Sequence, residues 1–253
     1  MSAQKTILAG RRLLVADDES FSRFFVVRMA RDLGCEDIIQ AVDGADALSQ
    51  IKVLGDSLSA LILDFNMPEI NGLRLLKMIR SGEAKVSRNT NVLMLTGNSD
   101  FALVGAAMAL DVDAFLIKPV SEAALTDRLS KIFSEARDVR PAAEYAAVDI
   151  DKAGKLLLSN KPVTTTSAKS GVLLQKTNQS SPAATSAATA VPGTVKMRLD
   201  QVAAGSILAE NIRGPTGELL LGVGTVLSGR LLNRLAELQS AIKLDYVVVR
   251  EKR

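Results

Sequence analysis

Four apolar runs punctuate the first half of this sequence: Leu13-Leu14-Val15, Ala60-Leu61-Ile62-Leu63, Val92-Leu93-Met94-Leu95 and Phe115-Leu116-Ile117. None alternates with polar residues. Strands of a parallel sheet are covered on both faces and read as continuous hydrophobic stretches, so these runs predict parallel strands. With a fifth segment, the pattern places strands at about 11–16, 37–42, 59–63, 91–96 and 113–117. Helices fill the intervals at about 20–33, 44–54, 71–81 and 100–109, with a last one at 121–137. Gly34 can stop the first helix in a left-handed conformation, Asp43-Gly44 makes a turn before the second, and Ser121 can cap the last. Strand–helix alternation with short connections predicts a doubly wound α/β domain over residues 11–137, behind a tail at 1–10.

The pattern then changes. Residues 138–193 contain Thr164-Thr165-Thr166-Ser167 and Ser180-Ser181-Pro182-Ala183-Ala184-Thr185, small and hydroxylated stretches with scattered proline. Such composition buries too little surface to offset the entropy of ordering, which predicts a largely flexible linker. Within it, Lys155-Leu156-Leu157-Leu158 is a candidate docking strand or helix. Order returns over 194–253, with short strands expected at 195–199, 207–212, 218–221, 225–227 and 245–249. Turns are expected at Gly214-Pro215-Thr216-Gly217 and Gly222-Val223-Gly224. The second reads as a hairpin turn, because a phosphate loop would need a third glycine and a following helix at the right spacing. Ser228 can cap a helix over 230–239, whose Leu231, Leu235 and Leu238 share a face. This small β-rich α+β unit of about 60 residues is short for an independent core. Pairing with another domain or another copy, as in a homodimer, is expected.

Composition narrows the function classes. The 253 residues carry a formal charge of +3, split between a net −3 over residues 1–139 and a net +6 over 140–253. The basic half has one aromatic residue after the linker, Tyr246, and no evident recognition helix, so it argues against nucleic acid. No apolar stretch reaches the roughly 18 residues a membrane-spanning helix needs. A single cysteine, Cys35, and no signal-peptide pattern at the N-terminus favour a reducing cytoplasm. Histidine is absent altogether. That excludes a phosphohistidine donor, a histidine-based hydrolase and any metal centre built on imidazole.

The candidate chemistry sits where the strands end. Asp17 and Asp18 follow the first run, Asp64 follows the second, Thr96 the third, and Lys118-Pro119 the fourth. Doubly wound sheets gather their chemistry at the carboxyl ends of their strands, so three carboxylates, a hydroxyl and an ammonium should meet at one edge. Adjacent carboxylates repel unless a cation offsets them, and Mg²⁺ prefers oxygen ligands that join it to a substrate phosphate. Pro68 stiffens the loop Asp64-Phe65-Asn66-Met67-Pro68 behind the central carboxylate. A cis bond at Lys118-Pro119 would turn the ammonium back over the site.

In these segments the sequence resembles the receiver domain of two-component response regulators. The matching pieces are Val15-Ala16-Asp17-Asp18-Glu19, Asp43-Gly44-Ala45-Asp46-Ala47-Leu48, Asp64-Phe65-Asn66-Met67-Pro68 with Gly72, Leu95-Thr96-Gly97 and Phe115-Leu116-Ile117-Lys118-Pro119. The resemblance implies a flavodoxin-like, five-stranded parallel sheet. It implies Asp64 as the phosphoacceptor, with Mg²⁺ held by Asp18, Asp64 and the Asn66 carbonyl, and by Asp17 through water. Lys118 would contact the phosphoryl oxygens, Thr96 and Phe115 would form the switch pair, and Asn66 and Asn98 would flank the phosphoryl group and tune its lifetime. Gly97 and Asp111 depart from the family pattern, where a small alanine or serine and a glycine are usual. The segment from Leu199 to Ser228 resembles a small domain found ahead of HD-GYP phosphodiesterase domains.

The expected function is that of a response regulator phosphorylated on Asp64 by a sensor histidine kinase or phosphotransfer protein. Phosphorylation would alter the exposed face around the fourth helix, fifth strand and fifth helix, or the access of the C-terminal unit to a protein target. Two other readings fit the pattern less well: a phosphorylation-independent scaffold, and a DNA-binding regulator using the basic half. An enzymatic output is not expected, because residues 194–253 show no nucleophile–base pair or metal cluster.

Overall fold

The computed structural model describes residues 7–97, 101–134, 139–150, 193–215 and 217–251; at 101 and 102 it describes the backbone only. The first half is built from β1 (Arg12–Ala16), α1 (Ser20–Asp32), β2 (Asp37–Ala41), α2 (Gly44–Leu54) and β3 (Ala60–Asp64). It continues with α3 (Gly72–Ser81), β4 (Asn91–Thr96), α4 (Phe101–Ala109), β5 (Ala114–Ile117) and α5 (Glu122–Ser134). The five strands form one parallel sheet in the order β2-β1-β3-β4-β5. Period-two alternation divides the apolar runs between the two faces. Leu13, Val15, Ala60, Ile62, Leu93 and Leu95 pack under α1 and α5. Leu14, Leu61, Leu63, Val92 and Met94 pack on the opposite side with α2, α3 and α4.

Local rules set the helix ends. Asp43 caps α2 by accepting the Asp46 N–H, Asn71 caps α3 through the Arg74 N–H, and Ser121 accepts from Ala124 ahead of α5. Gly34 takes the left-handed conformation after α1, with φ 93°. Gly72 has a different task. A Cβ there would lie 2.2 Å from the carbonyl oxygen of Asp64, so only glycine lets α3 start this close to the end of β3. At the other end of the sheet, the buried Arg80 guanidinium pairs with Asp113 at 2.8 Å and donates to the carbonyls of Arg88, Thr90 and Asp111.

Residues 139–150, which the sequence pattern assigns to the linker, hold a short helix, α6 (Ala142–Ala146). Its Tyr145 is fully buried. The Tyr145 hydroxyl donates to Asp111 at 2.7 Å and accepts the Arg140 N–H at 3.0 Å, while Arg140 Nε donates to the same carboxylate at 2.9 Å. The remaining linker positions, including Lys155–Leu158, lie outside the described residues.

The C-terminal unit contains β6 (Thr194–Arg198), β7 (Ser206–Ile207), β8 (Ile212–Arg213), β9 (Leu219–Leu221), β10 (Val226–Leu227), α7 (Gly229–Ile242) and β11 (Tyr246–Arg250). Antiparallel pairs join β6 to β11, β7 to β10 and β8 to β9. The strand expected over 207–212 is two strands with different partners, because the chain turns between them. Leu208 bridges to Val249, and Asn211 then accepts the Val223 N–H at 2.9 Å. The turn at 222–224 consequently links two ladders, β9 to β10, rather than closing a hairpin. Ser228 caps α7 as expected, accepting from Leu231. The core of this unit is continuous with that of the first domain, so its small size is offset by packing on a neighbour. The face around α4, β5 and α5, expected to be exposed, is where it packs.

Candidate functional site

The strand order changes direction between β1 and β3, and that crevice at the carboxyl ends is where such sheets place their ligands. Asp17 follows β1 and is fully buried. Its carboxylate accepts the Glu19 N–H at 2.9 Å and the Ser22 hydroxyl at 2.6 Å, which fixes its direction. Asp18, the next residue, is exposed. Asp64 ends β3 and is 4% exposed. One carboxylate oxygen from each of Asp17, Asp18 and Asp64 lies within 4.8 Å of the others. An all-oxygen, net-negative donor set of this kind suits a hard divalent cation.

Lys118 completes the cluster. The peptide bond to Pro119 is cis, and the ammonium lies 3.0 Å from Asp17 and 3.0 Å from Asp64. Burial alone would lower its pKa. Hydrogen bonds and charge attraction from Asp64 and Asp17 outweigh burial and raise it. The lysine is therefore a cation across the neutral range.

The other expected residues that are described lie on β4, on β5 and in the loop after β3. Thr96 ends β4, is fully buried, and its hydroxyl donates to the Gly97 carbonyl at 3.3 Å. Phe115 of β5 is buried with its ring stacked on Phe65 at 6.3 Å between centroids. Asn66 is exposed in the loop after Asp64. Asn98 lies outside the described residues. The sequence reading missed Ser22, whose signal was a hydroxyl in the first turn of α1, one helical turn from an acidic strand end. It also missed an apolar groove of about 570 Å³ beside the site, lined by Phe21, Phe25, Met29, Pro119, Val120 and Lys118. Phe21 and Phe25 are 67% and 41% exposed there.

Comparison with known proteins places the match on this half of the chain. The response regulator receiver domain profile matches residues 13–130. Chemotaxis protein CheY-3 of Vibrio cholerae is 35% identical over 122 residues, covering 48% of this chain and 91% of that protein. Chemotaxis protein CheY1 of Helicobacter pylori is 32% identical over 121 residues, covering 48% and 95%. Among solved structures, the receiver domain of AraT, a response regulator from Geobacillus stearothermophilus, is 27% identical, with a TM-score of 0.44 and coverage of 49% and 94%.

Proposed function

This chain belongs to the response regulator receiver family, and from that membership we propose that Asp64 accepts a phosphoryl group and holds it as a signal. The observation that carries the reading is the Lys118 ammonium held between Asp17 and Asp64 with Asp18 beside them. Asp18, Asp64 and the Asn66 carbonyl would hold Mg²⁺, with Asp17 acting through water. Bound there, the cation would offset the negative charge of the incoming phosphoryl oxygens.

Asp64 is the nucleophile. One carboxylate oxygen forms a bond to phosphorus as the bond from phosphorus to the donor's imidazole nitrogen breaks, and that nitrogen keeps the electron pair. Lys118 supplies fixed positive charge to the transferring oxygens, so positioning and electrostatics do most of the work. Thr96 would donate its hydroxyl to the bound phosphoryl group, with Phe115 responding as its switch partner. Asn66 and Asn98 would tune how long the phosphoryl group survives. The donor is a histidine kinase or phosphotransfer protein, and the groove along α1, which shares Lys118 with the site, supports docking of that donor beside Asp64. The C-terminal unit acts by binding a protein target. Its resemblance to the domain found ahead of HD-GYP phosphodiesterases supports a non-catalytic role, and this chain's lack of histidine fits it.

Incubation with Mg²⁺ and acetyl phosphate tests the assignment by intact mass. The parent chain should gain one phosphoryl group, and chelation of Mg²⁺ or Asp64→Asn should abolish the gain. An unchanged parent, or an Asp64→Asn chain that still gains mass, overturns it.

A further inference from the structure

Where the C-terminal unit packs on the receiver, two buried carboxylates are each shared by two arginines. Asp113 pairs with Arg80 at 2.8 Å and faces Arg230 of α7 at 4.0 Å. Glu237 of α7 faces Arg128 of α5 at 3.4 Å and pairs with Arg234 on its own helix. Four guanidinium groups thus meet two carboxylates, which leaves a surplus of two positive charges. Water offsets part of the surplus, since the side chains of Arg128 and Arg230 are 18% and 31% exposed. It hardly reaches the other two: Arg80 is fully buried, and the Arg234 side chain is 4% exposed. Arg234 donates through Nη1 to Glu237, but its Nε is buried with no acceptor among the described residues. A buried charged donor without an acceptor is costly and rare, and calls for a partner.

A cleft of about 720 Å³ lies beside these arginines, lined from α4, β9 and the start of α7. Arg140, Arg230 and Arg234 border it, and Asp111 is the one acid among its lining residues. Arg140 matches Asp111 at 2.9 Å, so Arg230 and Arg234 give the lining its net positive charge. The 14-residue helix α7 begins at the cleft, where Ser228 and Gly229 bring the positive end of its dipole. Much of the remaining lining is apolar, including Met108, Val112 and Leu220. A cleft of this size, apolar with a few charged groups converging on it, suits a small organic ligand.

We propose that this cleft binds a small organic phosphate, with the phosphate on Arg230, Arg234 and the start of α7 and the organic body on the apolar lining. A phosphate supplies what the junction lacks, close to two negative charges and several acceptor oxygens. Guanidinium groups and helix N-termini are both matched to it. A carboxylate would bring half that charge, and an uncharged ligand would leave the surplus as it is. The ligand would touch α4 of the receiver and α7 of the C-terminal unit together, so binding adds to their packing. The cleft shares no lining residue with the acidic cluster, and the proposal does not depend on Asp64 accepting a phosphoryl group.

Phenyl phosphate, a phosphate on an apolar ring, is the probe. Titrated into the full chain with a chelator present, it should shift the backbone amide signals of Gly222, Gly229 and Arg230 saturably. Phenol should not shift them, and inorganic phosphate should bind the same amides more weakly because it leaves the apolar lining uncovered. Two variants assign the site. Arg230→Gln removes a charged donor. A Cβ at Gly229 has nothing within 4 Å, and an acid in the first turn of a helix suits its dipole. Gly229→Glu therefore keeps the fold while placing negative charge where the phosphate would sit. Each variant should weaken phenyl phosphate binding by about tenfold or more, the scale of a hydrogen bond to a charged group. A parent chain with no saturable shift overturns the proposal, as does binding that both variants leave unchanged. Equal shifts with phenol overturn the phosphate, and equal affinity for inorganic phosphate overturns the organic body.

Discussion

Asp111 shows how one residue can serve two constraints. Its φ of 51° lies in the left-handed region, which glycine adopts freely and aspartate better than most residues. The carboxylate explains why glycine is absent: it receives Tyr145 and Arg140 and so fastens α6 to the turn before β5. Burial, and then the Asp111 carboxylate, push the Tyr145 hydroxyl pKa up, so it remains a donor across the neutral range. Asp111→Gly relieves about 1 kcal/mol of backbone strain. It removes hydrogen bonds to a charged group worth about 1.5–3 kcal/mol each, less for the half-exposed Arg140. The loss outweighs the gain at buried Tyr145. We expect amides of residues 139–150 to lose protection in Asp111→Gly while the parallel sheet keeps its own; α6 amides as slow as in the parent chain would contradict this role.

At the scale of elements, α1 presents an apolar face that its own domain does not cover. Phe21 and Phe25 meet edge to face at 4.5 Å, and the groove they border ends at Lys118. On the proposed reading, a protein donor would bring its phosphohistidine past this lip, whereas a small molecule need not touch it. Phe21→Ser should therefore slow transfer from a phosphohistidine protein by tenfold or so, the scale of a buried aromatic contact. Phosphorylation by acetyl phosphate should be unchanged, and equal slowing with both donors would count against the groove. The elements themselves were largely legible in the sequence. Runs such as Leu61-Ile62-Leu63 are buried on both faces, and a parallel sheet forces their polar ends to one edge, so the acidic cluster could be read before any coordinates. The strand at 207–212 was misread because apolar character says nothing about the turn at Asn211. Gly105 of α4, where a Cβ would lie 2.8 Å from the Leu219 carbonyl oxygen, and Glu237 of α7, which accepts the Phe115 N–H at 2.9 Å, carried no signal at all: a glycine in a helix and an acid on an amphipathic helix look the same whether they face water or another domain.

In the whole molecule, two buried carboxylates face arginines where the C-terminal unit packs on the receiver, Asp113 toward Arg230 at 4.0 Å and Glu237 toward Arg128 at 3.4 Å, and the second gives that packing a pH dependence. Glu237 faces Arg234 on its own helix, Arg128 of α5 and the Phe115 N–H of β5. Burial raises its pKa above the ordinary 4.5, and the two arginines and the Phe115 N–H offset this only in part. In any open form, with the C-terminal unit separated from the receiver, Glu237 meets water and returns toward the ordinary value. The closed form thus binds the proton more tightly than the open form. Its stability is fully present below the open-state pKa and declines as pH rises through the closed-state value. Protection of the Phe115 amide, corrected for the intrinsic pH dependence of exchange, should fall over that window. Glu237→Gln keeps an acceptor for the Phe115 N–H but cannot titrate, so its protection should be flat over the same range. An equal decline in both chains would assign the pH dependence to some other group and leave Glu237 a purely geometric contact.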